Sequence, residues 1–179
     1  MRRRVVFLDR DGVINKLVYR DGGWFSPQRF SEFVLEDGIS EVSEELKRSG
    51  FDLIVVTNQP DIARGKLSRR DLHLMNQMVS TTLQPLDIFV CPHDTDDNCE
   101  CRKPLPGMLL TAIYKYDIDK ASSFLIGDRL VDAKAAISAG VKPIILEKHY
   151  SLESGRIKNL VPRVTSLQDA LVMVRAADR

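Results

Sequence analysis

Cysteine is scarce in this chain: three in 179 residues, all between positions 91 and 101. An odd number packed so closely does not make the paired framework of a disulfide-stapled secreted domain. Long apolar runs are missing as well. None approaches the ~20 residues that cross a bilayer, and the "VVFL" behind the basic start "MRRR" is too short for the apolar core of a secretory leader. Charge of one sign is not in excess either, since 26 Lys and Arg stand against 25 Asp and Glu for a net +1. That balance excludes the strong global field by which basic proteins gather nucleic acid or anionic lipid. With no internal repeat and no low-complexity linker, the expectation is one domain over residues 1–179, long enough to bury its own core. It should be soluble and cytoplasmic, a monomer whose partner is a small molecule rather than nucleic acid or membrane.

What is present is an alternation of short apolar runs and amphipathic stretches. "RVVFL" (4–8), "FDLIVVT" (51–57), "DIFVC" (87–91), "SFLIG" (123–127) and "KPIIL" (142–146) read as strands. Helices are expected over 39–49, stopped by Gly50, over 68–84 behind Ser68 and Asp71 as a capping box, and over 106–116 with Pro106 in the first turn. Two more are expected over 130–139 and 166–176. Strands alternating with helices predict an α/β fold, a Rossmann-like three-layer sandwich around a mainly parallel sheet. Ligands of such sheets bind at the carboxyl ends of the strands.

The residues at those ends share one chemistry. After the first strand, "DRDG" places Asp9 and Asp11 two apart, on one side of an extended chain, before a turn at Gly12. Thr57 and Asn58 end the second strand, "GDRLVD" brings Asp128 and, a helical turn on, Asp132, and Arg102 and Lys103 follow the cysteines. Asp9, Asp11 and Asp128 are oxygen donors for a hard dication such as magnesium. Thr57, Arg102 and Lys103 complement a phosphate. A carboxylate beside a bound phosphoryl group can attack it and later be freed by water. Each segment also has a plainer reading: "DRDG" as a turn, "VVTN" as a polar strand end, "GDRLVD" as a helix start with acidic first-turn residues. Their conjunction at separate strand ends favours a metal and phosphate site.

Cys91, His93, Cys99 and Cys101 form C-x-H-x5-C-x-C, three thiolates and an imidazole on one loop. That is a full tetrahedral set for zinc with no open position, hence a structural ion; the alternative is a loop of incidental cysteines. Zinc here would fix the backbone that carries Arg102 and Lys103.

"FLDRDGV", "VVTNQ", "CRKP" and "IGDRLVD", in this order, resemble the haloacid dehalogenase superfamily of aspartate-nucleophile phosphatases. The resemblance implies that Asp9 is the nucleophile and Asp11 the acid and base, and that Thr57 and Lys103 stabilise the transferring group. Magnesium would lie between the Asp9 and Asp128 carboxylates and the Asp11 carbonyl. Asn58, Gln59, Arg102 and Arg129 are expected to meet the substrate. The Cys/His loop, "IARG" and "CRKPLPGMLL" narrow the resemblance to the heptose 1,7-bisphosphate phosphatases and their histidinol-phosphate phosphatase relatives, which lack a large cap domain. Removal of the 7-phosphate of a heptose bisphosphate is the implied activity; histidinol-phosphate hydrolysis, or a non-catalytic zinc-clipped binding module, are the alternatives. Pro60-Asp61 departs from the Ser-Gly usual in the heptose enzymes, and Asp61 either shapes the phosphate edge or points to solvent. Substrate selection falls to the loop at 16–28, to "NQPDIARG" and to the zinc loop. Trp24 either covers the sugar or anchors its own loop, and His73 and His149 read as surface or core histidines.

Overall fold

Val5, Val6, Phe7 and Leu8 are buried without exception, so the first strand has no solvent face. A strand of this kind needs a layer on each side. In the computed structural model, which describes residues 2–150 and 161–177, alternate side chains supply both. The strands and helices are β1 (Val5–Leu8), β2 (Val18–Arg20), β3 (Gly23–Phe25), α1 (Ile39–Arg48), β4 (Asp52–Asn58), α2 (Arg69–Leu83), β5 (Asp87–Cys91), α3 (Gly107–Tyr116), β6 (Phe124–Gly127), α4 (Leu130–Ala139), β7 (Lys142–Leu146), β8 (Arg163–Val164) and α5 (Leu167–Ala176). Val6 and Leu8 pack with Leu53, Val55 and residues of α1, α2 and α5. Val5 and Phe7 pack with Ile54, Val56 and residues of α3 and α4. The period-2 alternation of strand side chains therefore builds two cores from one sheet.

The six-stranded sheet runs β5-β4-β1-β6-β7-β8, all parallel. It is the Rossmann-like three-layer arrangement expected from the sequence. β1 is central, with Leu8 in register with Val55 on one side and Ile126 on the other. The residues just past Leu8, Val56 and Ile126 are thereby brought to one edge.

Two local expectations change. The segment 16–28 is not irregular throughout: β2 and β3 form a hairpin closed by Asp21 (φ 49°) and Gly22 (φ 77°). Both central residues are left-handed, as the tight two-residue turn requires, and "DG" is the signal for it. Pro106 stands at the N-cap of α3 rather than in its first turn. The Ser68 cap is as expected, its hydroxyl accepting from the Asp71 amide at 3.0 Å. Asp71, however, accepts from the Phe30 amide at 2.9 Å, so the second half of the motif ties α2 to the loop after the hairpin. Among the described residues no helix is long and apolar enough to cross a membrane.

Candidate active site

Past the carboxyl ends of β1, β4 and β6 lies a cavity of about 220 Å³, lined in part by Asp9, Asp11, Ser26, Arg102, Lys103 and Arg129. Asp9 follows β1, its amide donating to the Ile126 carbonyl at 3.0 Å. Its Oδ1 accepts from the Arg10 amide and lies next to the Lys103 ammonium, each at 2.8 Å. Lys103 is buried, and its Nζ also meets Asp132 Oδ1 at 2.6 Å and the Val56 carbonyl at 2.9 Å. Three acceptors for three ammonium protons fix the nitrogen in space.

Asp9, Asp128 and Asp132 are all buried, with carboxylate oxygens within 4.8 Å of one another. Burial, and then repulsion from Asp9 and Asp132, pushes Asp128 up to about 8. Burial also raises Asp9, to about 6, against the lowering pull of Lys103. Burial would depress the Lys103 ammonium, but Asp132 and Asp9 outweigh it and hold the group above its ordinary range. One ammonium does not neutralise three buried carboxylates, and a small dication with oxygen preference fits the surplus. Two glycines make the close approach possible. A Cβ on Gly12 (φ 89°) would overlap the Asp128 carboxylate, and one on Gly127 would overlap Asp132.

The carboxylate of Asp11 takes a different direction from the one its spacing suggests. It is not in that acidic cluster; it pairs with the Arg10 guanidinium at 3.1 to 3.2 Å and accepts from Gln59 Nε2 at 2.7 Å. Burial would raise Asp11, but Arg10 and then Gln59 reverse this and leave it below the usual carboxylate range. Asp132, read at first as a first-turn acid, takes the third place in the cluster. It also caps α4, Oδ2 accepting from the Arg129 amide at 3.0 Å. Both readings of "GDRLVD" therefore describe one residue.

Asn58, which lines the cavity, and Gln59, both expected at the substrate, also make hydrogen bonds to protein groups. Asn58 Nδ2 donates to the Lys103 carbonyl and its Oδ1 accepts from the Lys103 amide, both at 3.0 Å. Gln59 is buried, with Nε2 reaching Thr57 Oγ1 at 2.8 Å as well as Asp11. These amides position Lys103, Thr57 and Asp11. Arg102 lines the cavity and is steadied by Nη1 donating to the His93 carbonyl at 3.1 Å. Arg129 lines it with a side chain 54% exposed.

Sequence reasoning passed over three residues. Arg10, the spacer in "DRDG", is fully buried against Asp11 and within 5.5 Å of the Phe33 ring. Ser26 lines the cavity. Tyr150 brings its hydroxyl to Asp128, and its ring lies 5.7 Å from that of Trp24. Trp24 also meets His149 edge-on at 4.8 Å, so it anchors its hairpin to the segment after β7. The wide loop signal at 16–28 hid these contacts.

On the other side of Lys103, the four Cys/His groups converge. Sγ of Cys91 lies 3.6 Å from that of Cys99, Cys99 and Cys101 are 3.5 Å apart, and His93 Nδ1 is 3.7 Å from Cys91 and 3.3 Å from Cys101. A tetrahedron with ~2.3 Å metal–sulfur arms has sulfur–sulfur edges of roughly 3.8 Å. These separations fit zinc, and they are too long for disulfides.

The family model for haloacid dehalogenase-like hydrolases matches residues 12–140. A D-glycero-beta-D-manno-heptose-1,7-bisphosphate 7-phosphatase of Escherichia coli K12 is 39% identical over 153 residues, covering 79% of this chain and 77% of the relative. Its namesake in Photorhabdus laumondii is 38% identical over 179 residues, covering 92% and 91%. The crystal structure of the D,D-heptose 1,7-bisphosphate phosphatase of B. bronchiseptica, complexed with magnesium and phosphate, superposes with a TM-score of 0.83 at 28% identity, covering 96% of this chain and 97% of that one. With a family model that matches most of its length and a relative 39% identical over 153 residues, this chain belongs to the haloacid dehalogenase-like hydrolases.

Proposed function

We propose that the protein is a magnesium-dependent phosphatase that hydrolyses a sugar phosphate through an aspartyl-phosphate on Asp9. The substrate is the 7-phosphate of D-glycero-D-manno-heptose 1,7-bisphosphate, the compound for which the relatives are named. The observation that carries the reading is the cluster of three buried carboxylates, Asp9, Asp128 and Asp132, two of which pair with the buried Lys103 ammonium beside the cavity. Both fixed donors reach Asp9 Oδ1, which leaves Oδ2 as the attacking atom. Arg10 holds Asp11 ionised in the free protein, and as the dianionic phosphoryl group arrives beside it Asp11 takes up one proton from solvent water. The Asp9–phosphorus bond then forms as the phosphorus–sugar oxygen bond breaks, and Asp11 gives that proton to the departing oxygen. In the second half Asp11 takes a proton from water, whose oxygen attacks phosphorus and frees Asp9. Lys103 and Thr57 stabilise charge on the phosphoryl oxygens. Magnesium held by the Asp9 and Asp128 carboxylates and the Asp11 carbonyl would neutralise part of that charge. Arg102 and Arg129 line the cavity, and a planar guanidinium fork there would grip sugar hydroxyls or a second phosphate.

Phosphate release over a panel containing heptose 1,7-bisphosphate, histidinol phosphate and other sugar phosphates tests this. The heptose compound should lead in kcat/KM by about 10-fold or more, and activity should vanish without magnesium and return when it is restored. A lead for histidinol phosphate, or turnover indifferent to magnesium, defeats the proposal.

Zinc bound by Cys91, His93, Cys99 and Cys101 would be structural, standing in for the core that an eleven-residue loop cannot build. Elemental analysis should find one zinc per chain. A zinc-selective chelator with magnesium replenished should lower the melting temperature by roughly 5 °C, the equivalent of ~2 kcal/mol in a chain of this size. An unchanged melting curve after complete zinc removal would assign the loop's stability elsewhere.

A further inference from the structure

Three of the stretches that line the cavity lie far apart in the sequence. Ser26 comes from the end of the hairpin, Asn58 and Pro60 from the loop after β4, and Arg102 from the end of the cysteine loop. A continuous line of charged and polar contacts ties these stretches to one another. Arg20 of β2 donates to Gln28 Oε1 at 2.6 Å and to the Ser26 carbonyl at 3.0 Å. Gln28 Nε2 donates to Asp61 Oδ2 at 2.8 Å, and the other oxygen of Asp61 lies 3.4 Å from Arg64. Arg64 then grips Asp94 with two parallel bonds, Nε to Oδ2 and Nη2 to Oδ1, each 2.6 Å. Asp94 follows His93 directly and its Oδ1 also accepts from the Thr95 amide at 2.7 Å, so the last link sits inside the Cys/His loop.

We propose that Arg64 is a positioning residue, the buckle of a polar belt Gln28–Asp61–Arg64–Asp94 that sets the spacing of the three stretches and thereby which sugar the cavity admits. Arg64 is not among the cavity-lining residues and Asp61 turns away from solvent, with only 17% of its side chain exposed. Ion pairs as exposed as Arg64–Asp94 contribute little to global stability, while a bidentate fork fixes the relative geometry of the two groups it joins. The belt's effect should appear as local order and substrate admission rather than as melting temperature.

The role in substrate admission rests on the phosphatase reading above, and the experiment separates the two. Arg64→Ala, Asp94→Asn and the double variant are compared with wild type on two substrates: the sugar bisphosphate, which fills the cavity, and p-nitrophenyl phosphate, which needs only the phosphate end. Each variant should raise KM for the sugar compound by about 5-fold with kcat nearly unchanged, the double variant no more than either single one, because both break the same link. Turnover of p-nitrophenyl phosphate and the melting temperature should stay at wild-type values. Arg64→Lys, which keeps the charge and loses the fork, should recover only part of the KM. Independently of any substrate, amide hydrogen exchange at 61–66 and 94–97 should quicken in Arg64→Ala. Unchanged exchange, or KM values for the sugar compound within twofold of wild type, overturns the belt while leaving the phosphatase intact. A wild-type protein inert towards both substrates refutes the phosphatase reading, and with it the admission role.

Discussion

Asp9→Asn should reduce kcat by about 10⁴-fold or more, as expected when a group that bonds covalently to the substrate is removed. The amide has nearly the same shape, so the Arg10 amide can still donate to its oxygen, and Lys103 retains Asp132 and the Val56 carbonyl. What disappears is one of three buried negative charges. Repulsion from Asp132 and Asp11 helps hold Asp9 at about 6 beyond the effect of burial, so the neutral variant should fold at least as stably as wild type in the absence of magnesium. Loss of turnover with a melting temperature equal to or above wild type is thus the joint signature of a nucleophile. Phosphate release by Asp9→Asn at the wild-type rate would remove the aspartyl-phosphate from the account entirely.

Lys103→Met carries the largest expected stability loss, because it removes the ammonium from between Asp9 and Asp132 while leaving both carboxylates buried. Breaking a buried pair by deleting one partner costs about 3–5 kcal/mol, and at ~2–4 °C per kcal/mol in a chain of this length the melting temperature should fall by roughly 10 °C. The loss is limited by protonation of the stranded carboxylates, which gives it a sign in pH. Asp9 and Asp128 already stand at about 6 and 8, above the ~4 of an unfolded carboxylate. Without Lys103, Asp9 rises further. A folded state that binds more protons than the unfolded one loses stability as pH increases through the raised values. The deficit should therefore be larger at pH 8 than at pH 6, by differential scanning calorimetry. Magnesium should return part of it, since a dication can occupy the field that the ammonium has vacated. A variant as stable as wild type at pH 8 without magnesium would mean that Lys103 does not compensate this cluster.

The acidic residues at the strand ends could be picked out along the chain. Asp9 and Asp128 stand directly after apolar runs, and in a parallel sheet every such position falls on one edge, whatever the strand order. The cysteine motif is legible for a related reason: four Cys and His side chains within eleven residues need no distant contact to meet. The Ser68 cap is equally local. The hairpin was also written locally, in Asp21-Gly22 between Val18–Arg20 and Gly23–Phe25, but its strands are three residues each and give too few alternations to stand out.

Partnerships across the chain are another matter. No spacing rule connects Asn58 with the backbone of Lys103, 45 positions away, or Gln59 with Asp11, 48 away. These arise because β4 lies beside β1 and β5 beside β4, so that the loops after them share one small volume. The same neighbourhood diverts the Asp11 carboxylate to Arg10 and Gln59 and lets Asp132 into the acidic cluster. The line from Gln28 to Asp94 likewise crosses three loops that only the folded chain brings together. The sequence by itself determined the layered α/β architecture, the acidic strand ends and the clustering of the Cys/His loop, because apolar periodicity and short-range spacing act within a few residues. The tertiary structure alone decided which carboxylates face one another, which amides hold the lysine and how the lining stretches are tied, because those energies depend on distances between segments that the chain's order does not set.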